Sequence, residues 1–210
     1  MKEIVKFIKE GLKITSKSKV NERPKYNYYP KTKEELQDLL KQLTKERGNE
    51  GDFNDIDTSK ITDMADLSES FSDVEKFNGD ISDWNVSNVT NMCSIFDGCK
   101  SFNQPLNHWD VSNVTNMFAM FYGCESFNQD ISNWDVSNVE RMGHMFYRCD
   151  SFNQPLAKWN VSNVEYMGYM FYGCKSFNCD ISNWDVSNVK YNKEIFKKCI
   201  LEEKYKPNFK

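Results

Sequence analysis

Five tryptophans stand in one register. Trp84, Trp109, Trp134, Trp159 and Trp184 are each 25 residues apart. Phe96, Phe121, Phe146, Phe171 and Phe196 keep that interval, and so do Cys99, Cys124, Cys149, Cys174 and Cys199. Phe77, Phe102, Phe127, Phe152 and Phe177 keep it too, each followed by Asn. A fixed period of roughly 20–50 residues marks a solenoid, propeller or array, because one such unit cannot bury its apolar face alone and must stack on a neighbour. The unit reads W-[DN]-V-S-N-V-x-x-M-x-x-[MI]-F-x-x-C-x-S-F-N-x-[DP]-[IL]. A weaker copy, residues 57–64, precedes the first Trp and carries three extra residues before Phe77, as a capping unit would. Asp80, Asp130 and Asp180 alternate with Pro105 and Pro155, which points to growth by copying a 50-residue pair.

Two periods coexist within each unit. Val89, Met92, Ile95, Phe96 and Cys99 fall at i, i+3, i+6, i+7 and i+10, the spacing of one helix face. Ser87 or Asn88 is placed to cap that helix, and Gly98 lies near its end. Residues 101–106 are short and extended, with Phe102 and Leu106 on one face. Each rung is therefore expected to be one short strand plus one short helix, with strands of successive rungs about 4.8 Å apart. The Asn after each Phe reads as an amide ladder serving the turns of neighbouring rungs. Asn88, Asn113, Asn138, Asn163 and Asn188 are expected to act similarly at the helix start.

The motifs W-D-V-S-N-V-T-N-M, M-F-x-G-C and S-F-N-Q-D-I-S, over roughly residues 56–200, resemble the BspA-like leucine-rich repeat, the bacterial surface-protein repeat of about 25–26 residues. The resemblance implies a leucine-rich-repeat-like, right-handed α/β solenoid with an N-terminal helical cap. It also implies an adhesin or protein-interaction role, and it carries no catalytic residues over. The surface-displayed members carry signals that are not seen in this sequence, which directs the expectation to an intracellular or virion-associated place. Repeats of this type also occur in phage- and virus-encoded proteins.

Three regions are expected. Residues 1–55 form an N-terminal helical segment and cap, 56–200 a solenoid of about six rungs, and 201–210 a tail that shields the last rung or extends from it. In the first region residues 2–12 form an amphipathic helix that either packs on the cap or docks to a partner assembly. Residues 24–30 read as linker. Thr32-Lys33-Glu34-Glu35 is a capping box opening a second helix, with Leu36, Leu39, Leu40 and Leu43 on one face and Gly48 at its end.

The chemical readings are thin. The five-cysteine column lies on the apolar face, where thiols act as small hydrophobes, and no C-x-x-C pair exists, so neither a metal nor a cofactor is expected. Asp80, Asp130 and Asp180 read as turn acceptors. His108 and His144 occupy different repeat positions with no encoded nucleophile beside either, which points away from an enzyme. A net charge of −4 points away from a nucleic-acid partner, and no apolar run reaches the roughly 20 residues of a membrane span.

What remains is the part of the unit that varies. The central rungs place Phe118, Tyr122, Arg141, His144, Tyr147, Tyr166, Tyr169 and Tyr172 on one predicted face, while the end rungs carry Asp, Lys and Glu there. Aromatics with Arg inside a charged rim have the composition of a protein-binding patch. An ordinary stacking ladder of Tyr122, Tyr147 and Tyr172 is the alternative. The expected function is non-catalytic binding of another protein. A structural or assembly accessory docked by the first helix, and an extracellular adhesin, are the two other readings.

Overall fold

The computed structural model describes residues 25–209. The expected first helix, residues 2–12, lies outside the described residues. The first element is helix α1, Lys33–Arg47. Its cap is close to the expected box: the Thr32 side chain accepts the Glu35 N–H at 3.3 Å, but the Glu35 carboxylate takes the N–H of Lys31, at 2.7 Å, instead of that of Thr32. Gly48 ends it at a positive φ of 77°, which glycine adopts without a Cβ clash. Leu36, Leu39, Leu40 and Leu43 are buried, and α1 packs on a 3₁₀ turn at Leu67–Ser70 in the weak copy. Thr44 fixes that contact by accepting the Ser72 N–H at 3.1 Å.

The stretch read as linker is paired as well. The N–H of Asn27 donates to the Asp55 carbonyl at 2.7 Å, and Asp57 returns a bond to the Tyr28 carbonyl at 2.8 Å. Arg47 grips the Asp55 carboxylate through both guanidinium nitrogens, at 2.7 and 3.0 Å, and Asn27 adds a third bond at 2.7 Å. Burial pushes the Asp55 carboxyl up, but the bonds from Arg47 and Asn27 outweigh it and hold it below its ordinary value. A depressed folded value means stability that is present at neutral pH and lost as pH falls through that value. Asp55→Asn is therefore expected to cost about 1–2 kcal/mol at pH 7. The gap to wild type should narrow in urea titrations as the pH falls below the ordinary carboxylate range; a gap independent of pH would sink the assignment.

From residue 84 onward each unit lies beside the next, joined by main-chain bonds. The N–H groups of Met92, Ser94, Phe96 and Gly98 donate to the carbonyls of Asn116, Phe118, Met120 and Tyr122 in the following unit, at 2.8–3.0 Å. The same four bonds recur 25, 50 and 75 residues later. Between them, the N–H groups of Ile95, Asp97 and Cys99 close turns onto residues 92, 94 and 96 of their own unit.

The expected rung helix is thus replaced by a tape of turns, with alternate N–H groups spent across the stack. Left-handed residues make it so: Ser94, Ala119, His144, Tyr169 and Glu194 all have φ between 51° and 60°. A second left-handed position is occupied by Gly98, Gly123 and Gly173, but by Arg148 and Lys198 in the other units. A non-glycine residue there costs on the order of 1–2 kcal/mol, and the bonds to the next unit offset it. The expected rung strand is also absent as a strand. Among the described residues the parallel pairing consists of single bridges, including Asn91–Asn116, Asn116–Arg141, Arg141–Tyr166 and Tyr166–Tyr191.

The repeated side chains bond one unit to its neighbour. Trp109, Trp134, Trp159 and Trp184 donate their indole N–H to the carbonyls of Ile81, Leu106, Ile131 and Leu156, at 2.9–3.3 Å. Cys124, Cys149 and Cys174 donate to the carbonyls of Phe96, Phe121 and Phe146. All seven cysteines are free, and desolvation pushes the buried thiols far above their ordinary value. The Asn after each Phe accepts with its side-chain oxygen from the next Asn N–H, at 2.9–3.0 Å from Asn78 to Asn178. Asn88, Asn113, Asn138, Asn163 and Asn188 cap no helix; each donates to a serine carbonyl in the unit before, at 2.7–2.8 Å. Asp80, Asp130 and Asp180 accept the N–H two residues on, closing Asx turns.

Inside run two phenylalanine columns. Ring centroids of Phe96, Phe121, Phe146 and Phe171 are 5.4–5.7 Å apart, and those from Phe77 to Phe177 are 5.9–6.1 Å apart. The tail covers one half of the last rung: the Ile181 N–H donates to Tyr205 in the 3₁₀ turn Glu203–Tyr205, and Leu201 is buried.

Candidate functional site

The tape of turns sends its apolar residues inward and leaves its bridge positions and most of its left-handed ones at the surface, with Ala119 and Gly173 buried. Those positions are where the unit varies. Tyr122, Tyr147 and Tyr172 are half-buried and stack face to face, at 4.5 and 4.8 Å with planes within 5°. That column has the geometry of a stacking ladder. Asp97 heads it and Lys197 ends it; burial and the neighbouring Asp66 push the Asp97 carboxyl up.

A second group sits beside this ladder. His144 stacks on Tyr169 at 4.8 Å and meets the edge of Phe118 at 5.2 Å. Its Nδ1 is enclosed and has no hydrogen-bond partner among the described residues, and desolvation holds the ring below its ordinary pKa. The imidazole is thus packed as a plate between the Phe118 and Tyr169 rings. Arg141 is exposed and lays its guanidinium over Tyr166, 5.2 Å from the ring centre. Lys193 approaches Tyr169 in the same way at 6.0 Å.

Three rings of this face stand out into solvent: Phe118 is 37% exposed, Tyr166 40% and Tyr191 45%. Tyr191 belongs with them and is missing from the sequence-derived set. Its signal was its register, 25 residues after Tyr166, but it sat in a rung whose other variable positions are charged. Gly143 and Gly168 explain how the rings lie. A side chain at Gly143 would meet the Phe118 ring at 3.2 Å, and one at Gly168 would run into the Tyr191 ring. Phe118 from the preceding unit and Tyr191 from the following one thus lie over a two-glycine floor.

Elsewhere the surface is polar. A shallow groove runs past Asn113, Asn138, Asn163 and Asn188, with Thr115, Glu140 and Glu165 along it. The four amides are already committed to neighbouring carbonyls, and Glu165 is paired with Lys190 at 2.6 Å. Among the described residues no group of His, Cys, Asp or Glu side chains converges as a metal centre requires, and no helix is long and apolar enough to cross a membrane.

The family model described as "Mycoplasma protein of unknown function, DUF285" matches residues 35–149 and again 126–206. No curated protein and no solved structure matches the chain.

Proposed function

The chain belongs to this family of repeat proteins, whose description assigns no activity, and we propose that it is a non-catalytic protein-binding module built on a right-handed, leucine-rich-repeat-like solenoid of the BspA-like kind. The observation that carries the reading is the aromatic face of the central rungs. Phe118, Tyr166 and Tyr191 offer rigid apolar area to solvent, with Arg141 against Tyr166 and a firm backing of His144, Tyr169 and the tyrosine ladder. Rigid aromatics and Arg, ordered before contact, lose little entropy on binding and are the residue types that dominate interface energies. The bonds along the stack make the face a fixed surface instead of a loop that must be ordered on contact. Tyr122, Tyr147 and Tyr172 support the surface more than they contact a partner, since each spends its ring faces on the next.

A photo-cross-linking residue at position 166 is expected to trap a discrete protein in the native host. The same residue at exposed position 110, outside this face, should not. Phe118→Ser with Tyr166→Ser should weaken binding of that purified partner by at least about tenfold, or roughly 1.4 kcal/mol, with the melting temperature unchanged. No adduct at 166, or undiminished binding by the double variant, defeats the reading.

A further inference from the structure

The cross-stack bonds form continuous chains of amides, as the bonds of an α-helix do. The Met64 N–H donates to Asn91, Met92 to Asn116, Met117 to Arg141, Met142 to Tyr166 and Met167 to Tyr191, all at 2.9 Å. Each acceptor carbonyl shares a peptide unit with the next donor, so the dipoles point one way and add. The next donor is Asn192, and its N–H makes no hydrogen bond among the described residues. Three parallel chains end in the same state at Glu194, Phe196 and Lys198. One chain runs in reverse, from Thr90 through Thr115 and Glu140 to Glu165, and it ends on the Lys190 carbonyl with no donor. The tail leaves these donors uncovered: its hydrogen bonds go to Asn178 and Ile181 on the other half, and on this half it lays Lys206 over the Phe196 ring, Nζ 5.7 Å from the ring centre.

The open edge is therefore four aligned donors and one acceptor, at the positive end of the summed amide dipoles. The side chains reinforce that sign. Residues 190–198 hold Lys190, Lys193, Lys197 and Lys198 against Glu194, a net +3 in a chain of net −4. Lysines on a bare edge also keep other chains away. Here, however, they surround an apolar seat: Phe196 is half-buried beside the donors, with Tyr191 45% and Ile200 55% exposed.

We propose that this edge is a second docking site, adjoining the aromatic face at Tyr191, and that its occupant is an acidic peptide segment laid along residues 190–198. Its carbonyls and carboxylates accept from the four N–H groups, its own N–H donates to Lys190, and its apolar side chains rest on Phe196 and Ile200. The Lys190 acceptor selects a peptide over a phosphate polyanion, which has no donor to give. Residues 1–24 do not complement the edge, because they hold seven Lys and Arg against three Glu. A second copy stacked head to tail is blocked as well, since α1 covers the first rung.

The test uses the full chain and a fluorescent octapeptide alternating Glu and Leu. Binding is expected by anisotropy, with amide hydrogen exchange at Asn192, Glu194, Phe196 and Lys198 slowed at least about tenfold. Lys193→Glu with Lys197→Glu, both exposed, should weaken it at least about tenfold without changing the melting temperature. Tyr166→Ser should leave it unchanged, so loss of the aromatic-face reading would not remove this one. The proposal is overturned by absence of binding, by binding that leaves those four amides unprotected, or by inorganic polyphosphate of equal charge competing as well as the unlabelled peptide.

Discussion

Phe146→Ala is expected to cost about 3–5 kcal/mol, a large part of the stability of a chain this size. The ring is fully enclosed and is held from four directions: Phe121 at 5.7 Å, Phe171 at 5.4 Å, Phe152 at 4.2 Å and Trp159 at 6.3 Å. The cost depends on how far the surroundings can collapse into the space left behind. Here they cannot move freely. The Phe121 N–H is bonded to Met145 and the Phe146 N–H to Met170, both at 2.9 Å, so the units above and below are pinned at the register that creates the void. The lesion also falls in the middle of a one-dimensional stack and weakens the interfaces on both sides of it. Phe196→Ala is the internal control. That ring is only half-buried and has one column neighbour, Phe171 at 5.9 Å. It should cost less than half as much. Urea titrations of the two variants decide it, and equal losses would mean that the phenylalanine columns do not hold the units together.

Repetition made the contacts between units legible in the sequence but not the path of the chain within one. Trp, Phe, Cys and Asn recur because each bonds or stacks with the neighbouring unit, Phe and Asn with their own copy 25 residues away and Trp and Cys with a carbonyl 28 residues back, and such a constraint writes itself into the sequence as a column. The local conformation leaves no comparable mark. Successive turns that each close over three residues bring Val89, Met92, Ile95, Phe96 and Cys99 inward, which is also what a helix would do with them. What separates the two is the left-handed residue in each tape, and there Ser94, Ala119, His144, Tyr169 and Glu194 share no chemistry. Glycine at 98, 123 and 173 was a visible hint of a turn, but it reads equally as the end of a helix. The face shows the same division. Its residues were found by their departure from the repeat, whereas the difference between Tyr147, locked in a stack, and Tyr166, free to touch a partner, needed the geometry.

Gly79→Ala is expected to cost about 2–3 kcal/mol, the upper part of the range for overpacking a filled core. Three glycines invite the same substitution, and the distance to the nearest atom ranks them wrongly. An added methyl at Gly168 would land on Cε1 of Tyr191, the closest approach of the three, with Cδ1 at 2.5 Å. At Gly143 it would meet the Phe118 ring at 3.2 Å. At Gly79 it would overlap Cε2 of Phe53, with Cδ2 at 2.7 Å and Cε2 of Phe77 at 2.9 Å. What decides the cost is whether the obstructing ring has somewhere to go. Tyr191 and Phe118 are 45% and 37% exposed and can swing into solvent, so Gly168→Ala and Gly143→Ala should stay within about 1 kcal/mol of wild type. Phe53 and Phe77 are fully buried, and Phe77 is stacked on Phe71 at 3.5 Å and on Phe102 at 6.1 Å, so neither can leave without opening the seam between the cap and the first full unit. Thermal unfolding of the three variants should place Gly79→Ala well below the other two. If Gly168→Ala falls furthest instead, the Tyr191 ring is held by more than its packing on the glycine floor.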